Sequence, residues 1–336
     1  MLSLLLVFCF AAILTGIIRS YAIHASIIDI PNERSSHQHP TPRGGGLSFV
    51  ITSILAFIAA SILTGLSWNI TLAASLGGAV VALVGFWDDR GHVNAKWRLL
   101  AHFITAAIGL FFLGPIPSFD LFGSTVHLGF AGYILGAFTI VWLINLSNFM
   151  DGIDGLAGSE ATISAYGTAG LLLWLNAPST QWLPPLLFGT AVLGFLVWNF
   201  PPAKIFMGDA GSGFLGFIIS LLMLWNAHSD QKFLWIWLIL MGVFIVDSTF
   251  TLIRRLLNKE RIYEAHRSHA YQQAARQIGR HRPVTLTVAA INLFWLLPLA
   301  GLVGASLLSG ATALLIAYIP LLLLALRFKA GQRDQT

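Results

Sequence analysis

The chain is poor in charge. Of its 336 residues only 10% are Asp, Glu, Lys or Arg, against 56% hydrophobic. Soluble domains carry about 25% charged residues, so a water-soluble globule is excluded and a chain that lives in a bilayer is implied. Cysteine is nearly absent: the single Cys9 allows no intrachain disulfide and does not report the compartment. There is no low-complexity tract, flexible linker or clear internal repeat. No Gly-Lys-Ser/Thr run follows a Gly-rich stretch, which excludes a Walker-type phosphate loop. No soluble basic domain exists to carry nucleic-acid binding. Residues 1–18 have no basic segment before them and no small-x-small site after them, so they are read as an uncleaved first span.

What the chain has in abundance is apolar length. Runs of roughly 17–22 residues suffice to cross about 30 Å of hydrocarbon. They fall near 1–18, 46–64, 70–87, 99–114, 130–146, 160–175, 183–199, 213–228, 233–251, 284–305 and 308–326. These predict an all-α, polytopic helical bundle of about 10–11 transmembrane helices, with residues 1–336 forming one integral membrane domain. Gly and Pro inside the runs are tolerated there. With the N-terminus outside, every Lys and Arg except Lys232 falls on one face, which the positive-inside rule makes cytoplasmic.

Five loops on that face, 19–45, 88–98, 147–159, 199–212 and 252–283, hold nearly all the polar information. The outer connections are short and plain, apart from 115–129, whose Pro, Ser and alternating Val126 and Leu128 predict a small hairpin. In the last basic loop Ile253, Leu256, Leu257, Tyr263, Tyr271, Ala274, Ala275 and Ile278 recur at helical spacing. They predict one or two interfacial helices lying against headgroups. Trp235 and Trp237, near a span end, are read as interface belt.

The few acids are not scattered. Asp88-Asp89, Asp151, Asp154 and Asp209 each end an apolar run on the same face. Their settings are Gly-Phe-Trp-Asp-Asp-Arg, Asn-Phe-Met-Asp-Gly-Ile-Asp-Gly and Phe-Met-Gly-Asp-Ala-Gly-Ser. Charge near a bilayer is costly to place, so several acids at one depth point to a site. Asp88 and Asp89 cannot reach one spot from a helix, but at a helix end one can meet a cation while the other accepts a proton. An ordinary charge cluster satisfied by Arg90 is the alternative. Asn145, Asn148, Asp151 and Asp154 recur every three residues, which on a helix is one face and suits a nucleotide or metal pocket. Gly208 and Gly211 free backbone N–H groups for an anion before a helix starting at Gly213, and Asp209 offers hard oxygen to Mg²⁺.

Three further features belong to the same face. His266 and His269 share a helix face and suit phosphate; zinc is a weak reading without Cys or a His-Glu-x-x-His pattern. Arg43 with Gly44–Gly46, preceded by His37 and His39, offers another anion seat. Asp247 lies within a span, either pairing inward or completing the acidic cluster from behind. Together these residues describe an integral membrane enzyme acting on a phosphorylated substrate. A transporter would place its charges near the midplane, often in inverted repeats. An intramembrane aspartyl protease needs two facing acids inside spans, where only Asp247 sits. A scaffold would leave the Gly-Asp loops without a reason.

On these residues the chain resembles the polyprenyl-phosphate N-acetylhexosamine-1-phosphate transferases, which include the phospho-N-acetylmuramoyl-pentapeptide transferases. Asp88-Asp89, the Asn148–Gly155 run, the Phe206–Ser212 run and a late His-x-x-His stand in that family's order and spacing, from about Asp29 to Gln273. Pro31–His37 and Pro40–Gly46 look most like the branch that starts O-antigen and related polymers. The resemblance implies transfer of sugar-1-phosphate from a UDP-N-acetylhexosamine to undecaprenyl phosphate, releasing UMP, at the bacterial inner membrane. It implies Mg²⁺, with Mn²⁺ able to substitute, at Asp209 with Asp89 and Asp151. It makes Asp88 a base or a positioner of the lipid phosphate and stacks Phe206 on uracil. Asn148, Asn199, Asp151 and Asp154 fall in the nucleotide pocket, and His266 and His269 on the pyrophosphate or sugar. Arg43, Lys96 and Arg98 become phosphate anchors, with Lys204 among the substrate contacts. One departure stands out: the family often has a third His in the late cluster, where Ser268 intervenes here. A lipid phosphate is largely ionised near pH 7, so positioning and Mg²⁺ should dominate and direct attack is favoured. A phospho-aspartate on Asp88 or Asp89 stays open. The choice among GlcNAc, GalNAc, FucNAc and QuiNAc is not legible, and a homodimer rests on family analogy alone.

Overall fold

A bilayer offers backbone N–H and C=O groups no partner but their own chain, so uninterrupted apolar runs become helices. The computed structural model describes residues 2–31, 39–91, 93–260 and 266–332. Helix α1 (Leu2–His24) leads to a two-residue antiparallel pairing of β1 (Ile28–Asp29) with β2 (Thr41–Pro42), and α2 (Leu47–Thr64) follows. Helices α3 (Trp68–Leu72) and α4 (Gly78–Arg90) are joined through a π turn at Ala73–Gly77. Next come α5 (Ala95–Leu113), the expected hairpin of β3 (Phe119–Leu121) with β4 (Ser124–Val126), and α6 (Ala131–Phe149). Helices α7 (Leu156–Trp174), α8 (Ser179–Asn199) and α9 (Asp209–Ser229) precede α10 (Lys232–Leu240) and α11 (Gly242–Leu257), which meet at a 70° bend. The chain continues through α12 (Ala270–Ile278), then α13 (His281–Ile291) and α14 (Leu297–Gly304) joined by a second π turn, and α15 (Gly310–Arg327).

Among the described residues nine helices are long and apolar enough to cross a membrane, or up to ten with the bent α10–α11 pair taken as one span. The chain is a multi-pass helical membrane protein. Each apolar run read from the sequence is helical, with two departures. The run 233–251 breaks at Met241, and α7 falls outside the nine because Ser159, Glu160, Thr162, Ser164 and Thr168 dilute its hydropathy. Most of α7 is instead buried, against α8 and α13.

Helix α9 is the staff of the bundle: its apolar window is 94% buried, against 11% for α1, which faces outward. It packs against α4 and α6, among others. The contact with α4 is close because of Gly85, where a Cβ would stand 2.5 Å from the backbone of Asp209. Small residues at helix interfaces allow such approach. This contact carries the last turn of α4, with Asp88 and Asp89, onto the first turn of α9. Lys232, paired with Asp230 at 3.4 Å, lies beyond the other end of α9.

Two expectations fail here. Trp237 is fully buried and donates to Asn226 Oδ1 at 3.1 Å, while Trp235 donates to Asp120 O in the hairpin, so both are packing residues and not a belt. In the last loop Tyr271, Ala274 and Ala275 face inward on α12, which packs on α11, α13 and α15. Ile253, Leu256 and Leu257 are exposed but belong to α11. The expected interfacial helix is therefore an inner roof. Tyr263 and the Asn32–His37 part of the Pro31–His37 motif lie outside the described residues.

Candidate active site

Asp209 is the meeting point. It opens α9 directly after Gly208, whose backbone stands at φ 80°, ψ 167°, a region essentially reserved for glycine. Asp89 reaches across from α4, its Oδ1 accepting from Asp209 N–H at 2.9 Å and its Oδ2 from Ala210 N–H at 3.4 Å. A carboxylate on the first free N–H groups of a helix caps it and opposes its dipole. The anion seat expected before Gly213 thus lies one turn earlier and is filled by the chain's own Asp89. The N–H groups of Gly211 and Ser212 donate to Gly208 O.

Arg43 ties the cluster together: Nε meets Asp89 Oδ1 and Nη2 meets Asp209 Oδ1, each at 2.8 Å. Burial works to lower the Arg43 pKa, but Asp209 and Asp89 outweigh it and push it up, so the guanidinium stays charged. The following glycines do not seat an anion, since Gly45 and Gly46 N–H donate to the Phe206 and Met207 carbonyls at 2.9 Å. Asn148, in the last turn of α6, donates to Asp209 Oδ1 at 3.0 Å and Ser212 Oγ at 3.1 Å. Asp88 diverges from Asp89, as a helix end requires. It pairs with Arg98 of α5 and accepts from Val93 N–H at 2.9 Å. Arg98 also stands 4.0 Å from Asp209 Oδ2. Arg90 is not the partner of Asp88; it lies 4.3 Å over the Phe86 ring.

Beside this cluster opens a cavity of about 230 Å³ whose lining includes Arg43, Asn148, Asp151, Asp154, Phe206 and Asp209. The Asp151 carboxylate accepts no hydrogen bond and joins no ion pair among the described residues. Burial first, then the charges of Asp209, Asp89 and Asp154, push its pKa well above the usual carboxylate range against the pull of Arg43. Asp154 accepts from Ala203 N–H at 2.9 Å and pairs with His281 Nδ1 at 3.1 Å. Asn199 is a buried tie between two walls: it accepts from Gly155 N–H at 3.1 Å and donates to Ile205 O at 3.0 Å.

The expected helical stripe is corrected, because α6 ends at Phe149 and Asp151 and Asp154 lie in the turn after it. Asn145, on the helix, meets His102 at 3.2 Å in a small second pocket on the far side of Asp209. Lys96 is exposed, and Lys204 is exposed with its Nζ 5.6 Å from the Trp198 ring; neither lines the cavity. Among the described residues no three His, Cys, Asp or Glu form a ready-made metal cage. Yet Asp151 and Asp209 set hard oxygens on one cavity, a donor set that suits a divalent cation completed by substrate phosphates. The oxygens of Asp89 are already engaged.

Helix α12 organises a second group of side chains behind the cavity. Asp247 accepts from Ala270 N–H (2.9 Å), Tyr271 N–H (3.0 Å), Thr251 Oγ1 (3.2 Å) and His269 Nδ1 (3.2 Å). It therefore pairs inward, capping α12 and orienting an imidazole. A carboxylate only accepts, so His269 Nδ1 carries the proton. Its Nε2 is buried without a partner among the described residues. His266 stacks on His269 at 4.9 Å, not from a shared helix face, since His269 is the N-cap of α12 and His266 precedes the helix. Burial, then His269 and Arg255, push the His266 pKa down to about 3 against Asp247, so the ring is neutral. Neither imidazole lines the cavity. The α12 side is lined by Gln272 and, from α13, His281, which with Asp29 were not singled out from the sequence. Gln272 left one trace: it stands three residues after an N-cap, the spacing of a capping box.

Residues 70–227 match the family model described as Glycosyl transferase family 4. The chain is similar to a protein of Bacillus subtilis named a probable undecaprenyl-phosphate N-acetylglucosaminyl 1-phosphate transferase, at 31% identity, covering 84% of this chain and 79% of the relative. It is similar to an undecaprenyl-phosphate alpha-N-acetylglucosaminyl 1-phosphate transferase of Yersinia pestis, at 28% identity over 90% and 83%. A phospho-N-acetylmuramoyl-pentapeptide-transferase of Streptococcus pneumoniae matches at 30% identity over 72% and 77%.

Proposed function

The chain belongs to glycosyl transferase family 4, and from that premise we propose that it moves N-acetylhexosamine-1-phosphate from a UDP-activated sugar to undecaprenyl phosphate. The observation that carries this reading is the unpartnered Asp151 carboxylate sharing a cavity with Asp209, which Arg43 bridges to Asp89. An oxygen of the lipid phosphate forms a bond to the sugar-bearing phosphorus of the donor. The bond from that phosphorus to the bridging oxygen breaks, and UMP leaves with the electron pair. The product is an undecaprenyl-pyrophosphate-linked sugar.

Each side chain has a task in this proposal. Asp209 and Asp151 would hold Mg²⁺, which when bound neutralises diphosphate charge. Asp89 fixes the first turn of α9 and so sets the Asp209 carboxylate. Arg43 offers a planar cation beside the donor phosphates. Asp88 holds Arg98, which faces the incoming lipid phosphate. Both oxygens of Asp88 and both of Asp89 already accept hydrogen bonds, which supports direct attack over a phospho-aspartate. Phe206 stacks on uracil, and Asp154 with its His281 partner borders the nucleotide. His269 and His266 stand behind Phe149 and position α12.

The Lys and Arg distribution supports placing these loops in the cytoplasm, and the bacterial relatives support an inner membrane setting. The product would be the first lipid-linked intermediate of O-antigen or a related cell-envelope polysaccharide. The test is a transfer assay with purified protein, undecaprenyl phosphate, Mg²⁺ and a panel of UDP-N-acetylhexosamines. Lipid-extractable sugar from one donor supports the reading; no product from any donor with folded protein overturns it.

A further inference from the structure

The side chain of Gln272 is pinned in one orientation by the fold. Its Oε1 accepts from His269 N–H at 3.3 Å in a capping box at the start of α12. That contact decides which end of the amide points where, since only the carbonyl oxygen can accept. The Nε2 group is thereby turned toward Gly152, on the cavity that Gln272 lines together with Asp151 and Asp154. A Cβ on Gly152 would stand 2.9 Å from Gln272 Nε2 and 2.2 Å from the Tyr271 hydroxyl, so the wall here is tight. The Tyr271 hydroxyl is itself fixed by donating to Phe149 O at 2.8 Å. Nε2 carries two hydrogens, and the Tyr271 oxygen draws one of them. Gln272 is 8% exposed, and no carbonyl or carboxylate among the described residues accepts the second. A donor on a cavity wall with a hydrogen not taken by the protein is available to a ligand acceptor.

The rest of the lining explains what it awaits. Arg43 is the cation at the phosphate end, while the amide N–H₂ groups of Asn148 and Asn199 are spent on Asp209, Ser212 and the Ile205 carbonyl, which leaves Gln272 Nε2 as the amide donor open to a ligand. With the cation Arg43 at the phosphate end, a neutral amide donor away from it suits a neutral carbonyl oxygen. We propose that Gln272 is a specificity-determining residue that donates a hydrogen bond from Nε2 to an amide carbonyl of the sugar-nucleotide donor, the acetamido oxygen of the hexosamine. This rests on the transferase reading of the same cavity. The uracil carbonyls offer the same chemistry, and the test separates the two sources.

Two variants remove the donor while preserving different features. Gln272→Glu keeps the capping box, in which Glu is as favourable as Gln. Gln272→Met keeps the side chain uncharged and close in length. Binding of UDP-N-acetylglucosamine and of UMP would be measured by calorimetry in detergent, with thermal midpoints recorded for both variants. Loss of one buried hydrogen bond weakens binding by about tenfold or more. The expected result is that Gln272→Met loses about tenfold for UDP-N-acetylglucosamine and retains its UMP affinity. Gln272→Glu should lose at least as much for the sugar nucleotide while α12 remains folded. Equal loss for UMP and the sugar nucleotide in Gln272→Met would overturn the acetamido assignment in favour of uracil. Unchanged affinity for both in both variants would overturn the role of Gln272 altogether. Wild-type protein that binds neither ligand would overturn the transferase reading together with this proposal.

Discussion

Replacing Gly208 by Ala tests the junction on which the site is built. Two observations set the size of the effect. The backbone at φ 80°, ψ 167° is a conformation that costs an L-residue about 1–3 kcal/mol. The new Cβ would stand 2.6 Å from Asp89 Oδ2, with the carboxyl carbon at 3.2 Å. Asp89 cannot yield freely, because Arg43 and the N–H groups of Asp209 and Ala210 hold it. Pushing it off the start of α9 forfeits a helix cap, worth about 0.5–2 kcal/mol. Gly208→Ala should therefore destabilise the protein by about 1.5–5 kcal/mol and lower turnover, since Asp209 moves with the cap. The assay is a thermal scan in detergent paired with UMP release. Gly170→Ala is the control, because nothing lies within 4 Å of a Cβ there. If Gly208→Ala matched the wild type in both measurements, the account of the α4–α9 junction would be wrong.

Other substitutions separate the parts. Asp247→Asn keeps the shape but leaves at least one of its four donors facing an amide N–H₂. It should cost about 1–3 kcal/mol and blur the orientation of His269, read as a lowered thermal midpoint with reduced turnover; wild-type behaviour in both would remove Asp247 as the organiser of α12. Phe206→Ala should raise the KM for the UDP-sugar by tenfold or more at roughly constant kcat if the ring stacks on uracil, and an unchanged KM would refute that contact. His266 titrates at about 3 when folded, against the ordinary 6.5. Between those values the unfolded chain binds the proton and the folded chain does not. Its contribution is therefore fully present above about pH 6.5 and is lost as pH falls toward 3. His266→Phe, which retains the stacking, should flatten the acid decline of the thermal midpoint in that window, and superimposable profiles would contradict the assignment.

The architecture was legible because a bilayer removes the competing solutions: the apolar runs located the long helices, though not the break at Met241, and Val126 with its neighbours marked the hairpin. The acidic cluster was legible because charge at a helix end inside so apolar a chain is too costly to keep without a use, and Asp88, Asp89, Asn148 and Asp209 do converge. What failed was local geometry. The three-residue spacing of Asn145 to Asp154 reads as a helical stripe, but the chain leaves the helix at Phe149, and no Pro or Gly precedes that point to announce it. The anion seat at α9 looked vacant because its occupant, Asp89, comes from a helix 120 residues earlier. Trp235 and Trp237 look like belt residues by position along a span; the packing of α10 against α9, α14, α15 and the hairpin buries them. Gln272 and His281 were invisible because their role depends on α12 folding inward, which the basic residues of that segment argue against.

The central claim is that the cavity beside Asp209 transfers a sugar phosphate onto a lipid phosphate. The most direct measurement is UMP release by purified protein given a UDP-N-acetylhexosamine, with undecaprenyl phosphate and Mg²⁺ omitted in turn, alongside Asp209→Asn. The account predicts UMP and lipid-linked sugar in equal amounts only when both are present, and none from the variant. Release of UMP without the lipid phosphate, or full activity in Asp209→Asn, would contradict it.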